Sequence, residues 1–358
     1  MPIRPRPEIE NVPPVAHGGF HSADDDAALD FSSNVNPYGP SPRIWEAMRD
    51  APIGRHPDPR AAPLRAALAE IEKVSAHGLI VGNGSVELIY HLAVAFLRAG
   101  DRVLIVKPTF GEYAAASAMM GAQVVCCLTR PEDDFALDVD GLLAHARVFN
   151  PRLIFLCNPN NPTGKYLPRE VVERIARACP AALLVLDEAF VRFVADAWDA
   201  RALLDFENAL VLRSLTKDYA LTGLRVGYAM AAPEIIQAIE KVQPPWSVNT
   251  LAQVAAIAAL RDDAHLRDSL AALARAKNDL ANALTRLGMN VVPAQTNFFL
   301  LQVPSAAEFA RQLRERNIIV RDCASFGLAD CVRIAARKPE ENARLVAAIA
   351  DCRRTKDG

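Results

Sequence analysis

From residue 78 onward the chain alternates short, nearly continuous Val/Leu/Ile runs with amphipathic stretches, and this alternation limits the fold more than any other feature. "DRVLIV", "QVVCCLT", "RLIFLCNP", "ALLVLDEAF", "NALVLRS" and "RVGYAMA" read as strands. "SVELIYHLAVAFLRAG", "GEYAAASAMMGA", "VDGLLAHARV" and "PREVVERIARAC" read as the helices among them, the first ending at Gly100. Strands that are apolar on both faces and separated by helices predict an α/β fold, its mainly parallel sheet covered by helices on either side. Then the pattern changes. Residues 247–287 read as nearly all helix, and "NFFLLQV", "AAEFARQLRERN", "IIVRDC", "CVRIAA" and "PEENARLVAAIADC" predict a small α+β unit after them. The expected division is an N-terminal arm over 1–40 that joins the small domain, a large domain over 41–260, and a small C-terminal domain over 261–358.

Charge and cysteine content narrow the function classes. A net charge of −2 over 358 residues gives no bulk attraction for nucleic acid or membrane. No apolar run approaches the roughly 18 residues of a membrane helix. The opening "MPIRPRPEIENVPP" has no apolar core, so it reads as a proline-rich arm and not as a secretory signal; a cytoplasmic location is expected. Seven cysteines without a C-x-x-C pair, and no H-E-x-x-H, predict reduced buried thiols and no metal site.

Four short stretches carry chemistry. "LIVGNGSVELIY" runs from a strand through Gly82-Asn83-Gly84-Ser85 into a helix, a place where backbone N–H groups receive phosphate. Glu87 stands where a dinucleotide fingerprint needs its third glycine, and Pro159 stands where a P-loop ending at Gly164-Lys165 needs its first, so a nucleotide enzyme is disfavoured. "LCNPNNPTG" and "LVLDEAF" place Asn161 and Asp187 at strand ends, the edge where open α/β sheets bind ligands. In "VLRSLTKDYALTGLRVGYAM", Lys217 sits in a turn after Ser214 and Thr216, with Arg225 eight residues on. Together these are the parts of a pyridoxal phosphate site: a lysine for the aldehyde, a carboxylate for the ring nitrogen, and N–H groups, hydroxyls and an arginine for the phosphate.

On these motifs the chain resembles the fold-type I aminotransferase superfamily over nearly its whole length. Within it, the chain resembles the branch that holds histidinol-phosphate aminotransferases and threonine-phosphate decarboxylases. "DFSSNVNPYGP", "GNGSVELI", "NPNNPTG", "LDEAF", "RSLTKDYALTGLRVGY" and "VRIAAR" sit where that branch carries its motifs. The resemblance implies pyridoxal 5'-phosphate as cofactor, bound covalently by Lys217, with Asp187 on the ring nitrogen, Asn161 on the ring 3'-oxygen and Phe110 stacked on the ring. Gly84, Ser85, Ser214, Thr216 and Arg225 would hold the cofactor phosphate. Arg333 would grip the substrate carboxylate and Asn36 would line the same pocket. Arg321 or Arg337, with His17, would take the substrate phosphate; Arg333 and Arg337 share a face if their strand is regular. A homodimer with shared active sites is also implied.

Three positions depart from the branch. Phe190 stands where aminotransferases often carry a Tyr that donates to the 3'-oxygen. His56, in "RHPDP", replaces a Tyr that reaches the neighbouring subunit's cofactor phosphate. Phe20 replaces the Asn of the decarboxylases' H-G-G-N arm. "AHGGF" and "QPPWSVNTLA" nonetheless lean towards the decarboxylases. The expected activity is therefore decarboxylation of L-threonine O-3-phosphate, in cobalamin biosynthesis. The alternative is transamination of histidinol phosphate or a related amine. A non-catalytic regulatory protein that binds the cofactor is the remote alternative, disfavoured because no basic helix-turn-helix segment is present.

Overall fold

The computed structural model describes residues 3–10, 12, 14–19 and 28–354. Phe20 and the rest of the arm between 20 and 27 lie outside the described residues. The strands are β1 (Leu29–Asp30), β2 (Leu79–Gly82), β3 (Arg102–Lys107), β4 (Gln123–Leu128), β5 (Leu153–Cys157), β6 (Leu183–Asp187), β7 (Ala209–Ser214), β8 (Gly227–Ala231), β9 (Asn290–Val291), β10 (Phe298–Gln302), β11 (Ile318–Ile319), β12 (Arg321–Asp322) and β13 (Cys331–Ala335).

The large sheet has the order β2-β8-β7-β6-β5-β3-β4. β4, β3, β5, β6 and β7 are parallel, whereas β8 runs antiparallel to both its neighbours. The expected α/β architecture is present. Along β6, alternate residues feed opposite layers: Leu184 and Leu186 pack with Leu64, Leu68, Val172 and Ala252, while Val185 packs with Leu88, Leu92, Tyr113 and Ile236. Both faces are thus dry, which is why these strands read as unbroken apolar runs. Helix Ser85–Phe96 stops before the expected Gly100, because Leu97 is already extended.

A second sheet, β12-β13-β10-β9, is antiparallel. It packs on helices Asp263–Arg286, Ala306–Arg314 and Pro339–Arg354 through Phe299, Val332, Leu280, Leu313 and Ile349. "IIVRDC" does not form one strand. It divides into β11, which pairs in parallel with β1, and β12, which pairs with β13. Phe31 of the arm is buried in this second core.

Candidate active site

The parallel strands deliver their last residues to one edge. Cys157 pairs with Asp187 and Asp187 with Leu212, so the loops after β5, β6 and β7 leave side by side. A cavity of about 350 Å³ opens there. Ser85, Phe110, Asn161, Asp187, Ser214, Thr216, Lys217, Arg225, Arg321, Arg333 and His17 all line it.

Asp187 is only 3% exposed. Its Oδ2 accepts from the Tyr113 hydroxyl at 2.7 Å and its Oδ1 from the Ala189 N–H at 2.9 Å. Burial pushes this carboxyl above its ordinary range, and the two hydrogen bonds oppose that rise. Tyr113 is itself fixed, stacked on Phe155 at 4.8 Å and edge-on to Phe110 at 5.6 Å.

Lys217 sits on the connection from β7 to β8. Its carbonyl accepts from the Asn36 N–H at 2.9 Å, and the neighbouring turn is tied by Thr222 Oγ1 donating to Thr216 O at 2.8 Å. Its amine opens onto the cavity and makes no hydrogen bond or ion pair with the described residues. Burial first, then the charges of Arg333 and Arg225, pull its ammonium down to about 8.

The residues expected to hold the cofactor phosphate lie together. Gly84 caps helix Ser85–Phe96 with φ 78°, the left-handed region that favours glycine. A Cβ on Gly84 would stand 2.6 Å from Arg225 Nη2, and one on Gly227 would stand 2.5 Å from the Ser85 nitrogen. Both glycines are therefore needed for the arginine and the helix start to converge. Ser214 Oγ and Thr216 Oγ1 lie 2.7 Å apart and line the same cavity. N–H groups, two hydroxyls and a guanidinium around one point suit a phosphate. With the lysine and the buried carboxylate in the same cavity, the chain's residues fit pyridoxal phosphate.

Arg333 is 5% exposed. It donates from Nη1 to Asn161 Oδ1 and from Nη2 to Ser32 O at 2.6 Å, and it lies over the Phe298 ring at 5.4 Å. Arg321, opposite Arg333 in register, donates to Ala16 O at 2.9 Å, to His17 O at 3.3 Å and to Ser325 Oγ at 2.7 Å. It thereby holds the arm across the cavity mouth.

Two expected residues, Arg337 and Asn36, stand elsewhere. Arg337 does not reach the cavity: β13 ends at Ala335, so two-residue periodicity no longer applies. Its guanidinium donates to Asp30 O at 3.0 Å and Glu341 Oε1 at 2.7 Å. Asn36 does not line the pocket either. Its Nδ2 donates to Asp218 O at 3.0 Å and Ser269 Oγ at 2.9 Å, so it buttresses the lysine turn. His56 is exposed, stacks on Trp246 at 4.5 Å, and does not line its own chain's cavity.

Other contributors were not apparent from sequence. Tyr113 supports Asp187, and Asn34 lines the cavity with its Oδ1 buried and without a partner among the described residues. A buried network also braces two strand ends: Arg213 Nε donates to Glu188 Oε2 at 2.9 Å and Nη1 to Glu72 Oε2 at 2.7 Å, while Tyr228 OH donates to Glu72 Oε1 at 2.5 Å. Burial pushes Glu188 up to about 7. The sequence offers no signal for the role of Tyr113 beyond its place in the first turn of helix Glu112–Met119. Among the described residues, no cluster of His, Cys, Asp and Glu could hold a metal ion, and no helix is long and apolar enough to cross a membrane.

Comparison with known proteins agrees with this geometry. The sequence model of the family "Aminotransferase class I and II" matches residues 27–349. A histidinol-phosphate aminotransferase of Symbiobacterium thermophilum is 37% identical over 325 residues, which cover 89% of each chain. The crystal structure of the histidinol-phosphate aminotransferase of Sinorhizobium meliloti, in complex with pyridoxal-5'-phosphate, superposes with a TM-score of 0.88 at 28% identity, covering 98% of both chains. The L-threonine-O-3-phosphate decarboxylase of Porphyromonas gingivalis superposes with a TM-score of 0.79 at 31% identity, covering 90% of this chain and 98% of the other. By the extent of these matches, the chain belongs to the class I and II aminotransferases.

Proposed function

We propose that the chain is a pyridoxal phosphate-dependent aminotransferase acting on a small phosphorylated amino compound, with histidinol phosphate as its favoured substrate. The observation that carries this reading is the convergence of Lys217, Asp187, Arg333 and Arg321 on one cavity. The choice of histidinol phosphate is supported by relatives of that name that match across about nine-tenths of both chains.

When bound, the cofactor supplies an electron-withdrawing ring that spreads negative charge from the substrate Cα. The chain's own groups do the rest. Asp187, braced by Tyr113, keeps a proton on the ring nitrogen. Lys217, with its ammonium pulled down to about 8, is the neutral amine in a far larger share of molecules near neutral pH than an ordinary lysine, and it carries the Cα proton. Gly84, Ser85, Ser214, Thr216 and Arg225 hold the cofactor phosphate, Phe110 covers one ring face, and Asn161 meets the 3'-oxygen. Phe190 has no hydroxyl for that oxygen and packs edge-on to Phe298 at 5.1 Å instead. Arg333 and Arg321 receive the substrate phosphate, or the two carboxylates of a dicarboxylic keto acid on the return half-reaction.

Decarboxylation of threonine phosphate, the leading expectation from sequence, stands second. Its support is the His17-Gly18-Gly19 arm over the cavity and the kinship with the P. gingivalis enzyme. One pair of assays separates the two. Histidinol phosphate should convert the cofactor to its amine form and 2-oxoglutarate should restore it, with no carbon dioxide from threonine phosphate. Carbon dioxide released from threonine phosphate without any keto acid would overturn the assignment.

The same reading extends to assembly and domains. A homodimer is supported by His56, which is exposed and does not line its own cavity, and by Trp45 and Ile53, 62% and 75% exposed. A domain division of the kind 1–40, 41–260 and 261–358 is supported by the two cores, with the last break shifted into helix Asp263–Arg286: Ala252, Leu260 and Leu266 belong to the first core, Phe31, Leu273 and Leu280 to the second.

A further inference from the structure

We propose that Glu112, with Tyr90, forms a subsite for a nitrogen heterocycle on the substrate, and that the arm residue His17 holds this place until the substrate ring displaces it. The inference rests on the histidinol-phosphate reading and names the residue that recognises the ring.

Two carboxylates line the cavity, Asp187 and Glu112. The cofactor accounts for the first and has no use for the second. Glu112 is 7% exposed and opens helix Glu112–Met119, where a negative charge is favoured by the helix dipole. Its Oε2 accepts from the Tyr90 hydroxyl at 2.6 Å, and its Oε1 faces His17 Nε2 at 2.9 Å. A phosphate or carboxylate at this wall would meet like charge. An N–H of a neutral or protonated imidazole would meet an acceptor already oriented by a tyrosine. The remaining cavity cations, Arg333 and Arg321, leave the anionic end of such a substrate a separate place.

The structure already contains an imidazole in this position. The His17 ring lies 6.1 Å from the Phe110 ring, and its side chain is 53% exposed, so leaving costs it little packing. The arm need not leave with it. Arg321 holds Ala16 O and His17 O, Gly19 N–H donates to Ser32 Oγ at 2.8 Å, and Gly18 approaches Ser32 so closely that a Cβ would stand 2.7 Å from its carbonyl oxygen. Exchange is therefore a side-chain rotation of His17 beneath a fixed backbone. A substrate ring tethered through its phosphate competes at high effective concentration.

The test uses holoenzyme with Glu112→Gln and His17→Ala, and two readouts. One is the ratio of kcat/KM for histidinol phosphate to that for glutamate as amino donors. The other is the dissociation constant of imidazole, followed by the cofactor absorbance. Glu112→Gln keeps the shape and the tyrosine contact but removes the charge. The donor ratio should fall about 10- to 100-fold, the range expected for losing one charged hydrogen bond. His17→Ala should lower KM for histidinol phosphate and tighten imidazole binding, because the built-in competitor is gone. A donor ratio unchanged in Glu112→Gln, or a raised KM in His17→Ala, overturns the proposal; the latter would mean that His17 itself grips the substrate. If the wild type ignores histidinol phosphate and decarboxylates threonine phosphate, the functional reading fails separately. Imidazole then decides alone: binding weakened by Glu112→Gln and tightened by His17→Ala retains the subsite, and binding indifferent to both removes it.

Discussion

Lys217 offers a direct test of how the cavity tunes a buried amine. Burial, Arg333 and Arg225, in that order, pull its ammonium down to about 8. The perturbation is pH, applied to protein stripped of cofactor. At about pH 7.5 a lysine titrating at about 8 is neutral in roughly a quarter of molecules, against roughly one in a thousand for an ordinary lysine. The site therefore raises the reactive fraction about two-hundred-fold. Trace labelling with a neutral amine reagent, read by mass spectrometry of the Lys217 peptide across the pH range, reports this fraction. Labelling should level off with a midpoint near 8. Arg333→Met and Arg225→Met each remove a like charge, so each should move the midpoint up by a fraction of a unit to about one unit. Neither should restore the ordinary value, because burial remains. A wild-type midpoint above about 10, or arginine variants that shift it downward, would refute the reasoning.

Lys217→Ala should keep the fold and abolish turnover, and borohydride should no longer fix the cofactor; label found on another lysine in the wild type would displace Lys217 from its role. Tyr113→Phe removes one of two donors to a buried carboxylate and should cost about 1–3 kcal/mol in urea unfolding; a loss within error would mean that Ala189 N–H suffices. Arg213→Met strands Glu188, leaves Glu72 with Tyr228 and Arg192, and should cost about 3–5 kcal/mol. Because burial already pushes Glu188 up to about 7, protonation relieves that variant, so its loss should be smaller below pH 7 and grow as pH rises through it. Light scattering should give a dimer at micromolar concentration, and His56→Ala should weaken cofactor retention; a monomer with intact retention would remove the shared site.

The sequence revealed the residues whose place is set by strand ends. Asp187, Asn161 and Lys217 follow unbroken apolar runs, and a buried parallel strand leaves little choice about where its last residue emerges. Arg337 was misplaced because strand periodicity was carried two residues beyond Ala335, where the chain had already turned to form helix Pro339–Arg354. Asn36 sits in a motif near the site, but packing on Ser269 decides which way its side chain points. The bonds of Tyr113 to Asp187 and of Arg213 to Glu72 join residues far apart in the chain, and no local pattern encodes them. Glu112 carries no sequence signal beyond its place at a helix start, and its pairing with the arm's imidazole joins residues far apart in the chain.

The single reversed strand has a consequence for how this site can be rebuilt. A parallel neighbour of β7 would need a crossover helix, whereas β8 returns directly, with Ser214 opposite Gly227 as the last rung. Lys217, the Ser214 and Thr216 hydroxyls and Arg225 therefore travel on one continuous hairpin, residues 209–231. That piece can be exchanged between relatives as a cassette, with its borders fixed by β6 on one side and β2 on the other. Asp187, Asn161 and Phe110 arrive by three separate crossovers and cannot be moved together. On the proposed roles, grafting the hairpin should transfer the lysine and its phosphate contacts while leaving Asp187 with the recipient, which divides the site into one portable half and one that belongs to the scaffold.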